Sequence, residues 1–361
     1  MRAAIMTEMP TTTLSVVDDI TLRPLGPGEV QMKVAYSGVC HSDLSAMQGN
    51  LPNMVPMVLG HEGAGVVTAV GDGVDHVAPG DHMVIAFSPP CGSCAYCNER
   101  GQPNLCLTGT MTMLLHQQFL QGETIVGSMT GCGTFAEETI VPAMAAIKIP
   151  SHIPLDVAAL VGCGVTTGVG AALYGAKVTP GSSVAVIGCG GVGIAAIQGA
   201  RIAGASAIAA IDLHEGKLDR ARSFGATHTA TPEQIADVRA EVAGDDGFDF
   251  AIECIGRAAT MRQAYDLIRR GGVACIVGAG PDDEMLEIRA REPFFDEKTL
   301  VGSMYGSADV RTDFERFLGL YESGELDLDG MITQRIGLDD VNEALASLGN
   351  PDVIRQVICF E

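Results

Sequence analysis

Val184-Ala-Val-Ile187-Gly188-Cys189-Gly190-Gly191-Val192-Gly193-Ile-Ala-Ala-Ile-Gln198 is the stretch whose reading decides the fold. A β-branched apolar run leads into Gly-x-Gly-x-x-Gly and then into a segment with helical period. In a dinucleotide site, Gly188 allows the tight turn, Gly190 lets the backbone approach a pyrophosphate, and Gly193 lets helix and strand pack closely. The helix N-terminus that follows aims free N–H groups at the phosphates. Ser206–Asp212 reads as the next strand, and Asp212 lies 19 residues beyond Gly193, where a carboxylate holds the adenosine ribose. That acid favours NAD over NADP, because it repels a 2′-phosphate. In a chain with 45 glycines, the alternative is a glycine-rich turn that binds nothing.

Outward from this stretch, strands near 184–188, 207–212, 227–230, 248–254, 273–277 and 299–305 alternate with helical segments. The pattern predicts an α/β fold with a doubly wound parallel sheet of Rossmann type. The first 160 residues read differently. Arg2–Thr7, Leu14–Val17, Glu29–Ser37, Ala64–Val70, His82–Phe87 and Ala136–Val141 are strand-like, separated by Gly-Pro, Pro-Gly and Asp-Gly turns. Beyond Gly306, helices near Thr312–Ser323 and Asp339–Leu348 and a strand Val353–Cys359 return to that first domain. The expected division is therefore 1–163 with 306–361 as a β-rich domain, and 164–305 as the dinucleotide-binding domain.

Composition narrows the function classes. Two domains suit 361 residues, and 44 acids against 22 bases give a formal net charge of −22. That balance argues against nucleic acid and anionic membranes as partners. No signal peptide and no apolar run long enough to span a bilayer is read, so a cytoplasmic location is expected. There, eleven cysteines are better explained as metal ligands or buried thiols than as disulfides.

Two groups of residues have metal-ligand character. Cys40-His41-Ser42-Asp43, Gly60-His61-Glu62-Gly63 and Gly162-Cys163-Gly164 supply two thiols and an imidazole, a soft set for zinc that leaves a fourth position open for substrate. Glu62 could fill that position when substrate is absent, and Asp43 suits an acceptor for the His61 ring N–H. Taken singly, each is equally a core cysteine or a hydrogen-bonded histidine. Cys91-x-x-Cys94-x-x-Cys97 with Cys106 has the spacing of a closed structural Zn–S4 site, with disulfides or free thiols as the alternative.

These motifs, in this order, resemble the zinc-dependent alcohol dehydrogenases of the medium-chain dehydrogenase/reductase superfamily, from the first strand to Val353–Phe360. The resemblance implies a GroES-like catalytic domain, NAD, two zinc ions per subunit and a small alcohol or aldehyde substrate. It places Thr167 near the nicotinamide with Val192 behind it, and Val277 and Ala279 flanking it. It puts Lys217 at the ribose, Ile255 and Arg257 at the adenosine, and His41 and Arg355 at the pyrophosphate, with the cofactor in an inter-domain cleft. Leu51, Phe87, Met129, Thr130, Ala279 and Met304 would line the substrate pocket. The gap from Cys97 to Cys106 is one residue longer than the family pattern, which bears on Cys106. Ser45 stands where many relatives end their proton relay in histidine.

The mechanism so implied polarises the alcohol oxygen on zinc, passes its proton through Ser42 and the ribose, and transfers hydride reversibly to NAD. The segment from Gly101 to Ile147, which in the family supplies part of the substrate channel, contains no Lys or Arg. A neutral, apolar primary or secondary alcohol, aliphatic or aromatic, is therefore expected. The alternatives are a thiol-adduct-dependent formaldehyde dehydrogenase and, in another class, a non-catalytic NAD(H)-binding regulatory protein. A zinc-free reductase of the same superfamily would have no reason to keep these cysteines together. An unpaired edge strand at Thr299–Tyr305 predicts a homodimer, with a tetramer also possible.

Overall fold

Chain contacts divide the protein into two units, Met1–Cys163 with Asp309–Glu322 and Leu328–Glu361, and Gly164–Ala308 with Ser323–Asp327. The computed structural model describes residues 1–50 and 54–360. Leu51, one of the residues expected in the substrate pocket, lies outside the described residues.

The second unit is built on six parallel strands: Ser183–Ile187, Ala207–Ile211, His228–Ala230, Phe248–Glu253, Ile268–Ile276 and Thr299–Gly302. Numbered along the chain within this sheet, their spatial order is 3-2-1-4-5-6, the doubly wound arrangement whose order reverses beside the first strand. All five pairings are parallel, and Ile187 aligns with Ile211 on one side and Glu253 on the other. The Val184–Ile187 and Ile208–Ile211 runs are buried, as strands covered on both faces require. Ser323–Asp327 belongs to this unit because the Gln198 amide both donates to the Asp327 carbonyl (3.0 Å) and accepts from its N–H (2.8 Å).

The first unit holds two largely antiparallel sheets. The larger has the long strand Glu29–Val39 at its centre, flanked by Glu62–Val70 and by the returning C-terminal strand Arg355–Cys359. Methionine, valine and alanine fill its cores, among them Met32, Val34, Met83 and Ile85 in one cluster, and Met6, Met47, Leu59 and Phe135 in another.

Two expectations are corrected here. The helical run Leu155–Gly175 is long and apolar enough to cross a membrane by composition alone, with a mean hydropathy of 1.7, yet 83% of it is buried within the protein. Its apolarity goes to the core. The edge strand stops at Gly302 rather than running to Tyr305, because Tyr305, Gly306 and Ser307 all have positive φ (53°, 67° and 55°), which no strand tolerates.

Candidate active site

Cys40 ends the long central strand and caps the short helix His41–Met47, with its own backbone extended (φ −126°, ψ 154°). Asp43, one turn into that helix, is fully buried. Its Oδ2 accepts from the Cys40 N–H at 3.0 Å, and its Oδ1 accepts from the Gly60 N–H at 3.0 Å and meets His61 Nδ1 at 3.3 Å. One carboxylate thus ties the two chain segments that carry Cys40 and His61.

Cys40, His61, Glu62 and Cys163 are all buried, and their ligand atoms lie within 4.8 Å of one another. A buried imidazole nitrogen or carboxylate oxygen left unpaired is costly. His61 Nε2 and Glu62 Oε1 nevertheless have no hydrogen-bond partner among the described residues. Two thiols, one free imidazole nitrogen and one free carboxylate oxygen converging in a buried site fit zinc. The surroundings also favour thiolate. Hydrogen bonding with Cys163 leads the effects that hold Cys40 well below the ordinary thiol range against its burial, and His61 and Arg355 add to it. Burial alone would depress His61, but the charge and hydrogen bond of Asp43, with help from Cys40, raise it well above the usual imidazole value.

Ser42 Oγ is 3.8 Å from Cys40 Sγ, at the edge of this cluster. The Phe87 ring meets the His61 ring edge-on at 5.8 Å between centroids. Met129, by contrast, is sunk in the core with Met47 and Phe135, so it offers no free face of its own. Beside it, Thr130 takes a left-handed backbone (φ 48°) and donates its hydroxyl to the Met129 carbonyl at 2.8 Å. Arg355 is buried and ion-paired with Glu62. Its cation is therefore matched by a carboxylate of this cluster, a partnership the sequence reading did not contain. His41 is exposed on the first helical turn.

The second cysteine group is as compact. The sulfurs of Cys91, Cys94, Cys97 and Cys106 lie within 4.8 Å of one another. Cys94 is 3.6 Å from Cys97 and 3.7 Å from Cys106. Tetrahedral Zn–S bonds of about 2.3 Å put sulfurs about 3.8 Å apart, so the spacing fits zinc, and none of the eleven cysteines is in a disulfide. Between Cys94 and Cys106 the chain makes the helical turns Ala95–Asn98 and Pro103–Leu105. Cys106 Sγ accepts from the Cys91 and Gly109 N–H groups, both at 3.2 Å. Hydrogen bonds from Ser93 bring Cys91 down to about 5, while burial pushes Cys97 up to about 12.

In the second unit, the glycine loop turns at Gly188 (φ 91°) into the helix Gly191–Ile202. A Cβ on Gly193 would stand 1.7 Å from the Gly188 carbonyl oxygen, whereas one on Gly190 would meet nothing within 4 Å. The helix is therefore locked to the loop, and the backbone at Gly190 faces open space where a phosphate can approach. Asp212 sits on this loop. Its Oδ2 accepts from the Cys189 N–H (2.8 Å) and its Oδ1 from the His214 N–H (3.0 Å). Burial and the Asp212 charge push the Cys189 thiol up, opposed by Lys217, which puts that lysine in the same neighbourhood.

A Cβ on Gly188 would touch Ile255 Cγ1 at 2.6 Å, so Ile255 flanks the loop. Leu213, 73% exposed, and Ile255, 46% exposed, are apolar side chains left open beside it. Leu213 was not singled out in sequence, although its place next to Asp212 was the available signal. Glu253 was missed too. It is fully buried at the end of an apolar strand, and its Oε1 accepts from the Ile255 N–H, the Gly256 N–H and the Thr260 hydroxyl. The Val277 N–H donates to the Glu253 carbonyl, and a Cβ on Gly256 would meet the Ala279 carbonyl oxygen at 2.6 Å, so Val277 and Ala279 join the same cluster. Thr167 lies on the helix Thr166–Gly170, whose Gly168 packs against Val192, while Gly306, two residues after Met304, packs against Thr166. Arg257 is not brought in, because its guanidinium pairs with Glu284 at 2.5 Å.

A doubly wound sheet with a carboxylate on its glycine loop, in one chain with two zinc-ligand clusters, defines a zinc- and nicotinamide-dependent oxidoreductase. The chain matches the alcohol dehydrogenase GroES-like domain over residues 26–151 and the zinc-binding dehydrogenase family over residues 191–323. It is 38% identical to the alcohol dehydrogenase class-3 of Caenorhabditis elegans, over 96% of this chain and 93% of that protein. It is also 38% identical to the S-(hydroxymethyl)glutathione dehydrogenase of Saccharomyces cerevisiae, over 95% and 92%. The crystal structure of benzyl alcohol dehydrogenase from Acinetobacter calcoaceticus superposes with a TM-score of 0.91 at 27% identity, covering 100% of this chain and 99% of that one. The protein belongs to the zinc-dependent alcohol dehydrogenases of the medium-chain dehydrogenase/reductase superfamily, and it is an NAD-dependent enzyme.

Proposed function

We propose that this enzyme oxidises a neutral, apolar alcohol to the aldehyde or ketone, reversibly. The observation that carries this reading is the stretch from Gly101 to Ile147, which has no Lys or Arg to meet a substrate carboxylate. The pairing of Arg355 with Glu62 supports it, because that buried cation is already neutralised.

In this reading Cys40, His61 and Cys163 hold the catalytic zinc, with Glu62 as reserve ligand, and Cys91, Cys94, Cys97 and Cys106 hold the structural one. Zinc held there would supply a Lewis acid for the substrate oxygen, and bound NAD would be the hydride acceptor. Asp43 fixes the His61 ring and the Cys40 backbone. Ser42 takes the alcohol proton and, with serine at position 45, hands it on to water. Phe87 packs against His61 and excludes water from the carbon being oxidised. Asp212, Lys217, Leu213 and Ile255 hold the adenosine end of NAD, Gly188–Gly193 its pyrophosphate, and Thr167, Val192, Val277 and Ala279 its nicotinamide. The exposed edge Thr299–Gly302, with Phe294 78% exposed beside it, favours a homodimer. Free cysteines favour a reducing, cytoplasmic setting.

An apolar pocket gains roughly 0.8 kcal/mol, or about fourfold in binding, per buried methylene. Hence kcat/KM climbs from ethanol through butanol to hexanol or a benzylic alcohol, mainly through falling KM. The name of the 38%-identical relative from Saccharomyces cerevisiae favours a second reading, oxidation of the glutathione–formaldehyde adduct. A flat alcohol series, with formaldehyde turned over only when glutathione is added, decides for that reading.

A further inference from the structure

The four-thiol lobe has a neighbour from far along the chain. Arg311, the second residue of the helix Val310–Glu322, is held by Asp309. Asp309 Oδ1 accepts from Arg311 Nε at 2.9 Å and Oδ2 accepts from Nη2 at 2.8 Å. This two-point clamp fixes the guanidinium plane and leaves Nη1 pointing away from the carboxylate. Nη1 reaches the lobe: it lies 3.8 Å from where a Cβ on Gly92 would stand. Gly92 adjoins Cys91, and its own N–H donates to Cys97. The other charges of this segment, Glu99 and Arg100, cancel, and Arg100 is stacked over the Tyr96 ring at 4.7 Å.

Four thiolates around a divalent zinc leave a net charge of −2, in a chain that already carries −22. Backbone N–H groups, among them those of Cys91, Gly92, Ser93 and Gly109, stabilise the sulfurs as dipoles, but none brings a full positive charge. We propose that Arg311 is the counter-cation of the four-cysteine zinc site, a positioning residue aimed by Asp309 that slows loss of the metal. The inference rests on the four-cysteine reading given above. Arginine suits the role because it stays charged and its planar fork can be fixed by one carboxylate while another edge faces the thiolates. The charges of Cys97 and Cys106 raise the Arg311 pKa, though less than its bond to Asp309 does, so the thiols and the guanidinium do feel one another.

The test uses the full chain with both sites refilled with cobalt(II), which gives four thiolates an intense sulfur-to-metal charge-transfer band. The two thiolates of the other cluster absorb in the same region, so the decay in excess EDTA is resolved into phases, and the phase that a Cys94→Ser control lacks reports release from the four-cysteine site. Arg311 is 42% exposed on its side chain, so a surface-pair magnitude applies. Arg311→Gln is expected to release metal about threefold faster than the unmutated protein in low salt. Arg311→Lys is expected to stay close to the unmutated rate, and molar salt, which shortens screening to about 3 Å, is expected to close the gap. NADH binding by each variant checks that it is folded. Equal release from Arg311→Gln, an Arg311→Lys as fast as Arg311→Gln, or a gap that survives molar salt overturns the counter-cation role. A single metal ion in the unmutated protein overturns the four-cysteine assignment instead, and the inference with it.

Discussion

The two cysteine clusters of the first unit are made in opposite ways. Cys91, Cys94, Cys97 and Cys106 come from one short stretch of turns, three of them partly exposed. Cys40, His61, Glu62 and Cys163 come from three distant segments and are all buried. The first cluster has little apolar core of its own, so in the proposed reading bound metal would hold that stretch together. The second is held by the sheet, by Asp43 and by the Glu62–Arg355 pair, so the protein positions the ligands and metal is added to a site already formed. Removing a ligand should therefore damage the fold at one cluster and the chemistry at the other.

The largest effect falls on chemistry. Cys163→Ser should lower kcat by at least about a hundredfold, while thermal unfolding and NADH binding stay near those of the unmutated enzyme. Wild-type turnover from that variant would remove Cys163 from the catalytic set. Next is Cys94→Ser, which should lower the zinc content from two per chain to one and cost roughly 4 kcal/mol of stability. Denaturant melts with elemental analysis check this, and a variant with one zinc and an unshifted midpoint would erase the contrast between the clusters. The smallest effect sharpens the comparison from the other unit, where one carboxylate organises a loop without metal. Asp212→Ala should weaken NAD by about tenfold, the scale of a charged hydrogen bond to each ribose hydroxyl, and narrow the preference over NADP. Equal kcat/KM for the two cofactors in the unmutated enzyme would contradict the role given to Asp212.

What could be read from sequence follows the same contrast. The parallel sheet was legible because its central strands Ser183–Ile187 and Ala207–Ile211 are apolar runs that end at a glycine and an acid, and Cys91–Cys106 because its spacing is local. Short strands such as Met57–Val58, Thr124–Ser128 and Ile332–Ile336 were not: the first is two residues long and paired with segments far away in the chain, and the other two are brief and partly polar. The partner of Arg355 was invisible for the same reason: Glu62 lies 293 residues earlier. Arg355 carries a charge that suits a phosphate, and only the fold reveals the carboxylate beside it. Met129 misled in the opposite direction, because an apolar residue in a channel-forming segment reads alike whether it faces substrate or core.

Asp43 carries one more consequence. By gripping the backbone N–H groups of Cys40 and Gly60, rather than the thiol or the ring alone, it sets the distance between two ligands through the main chain. That distance does not depend on what the side chains are holding. An ion can then leave and return, or be exchanged for another, without the polypeptide having to search for the site again.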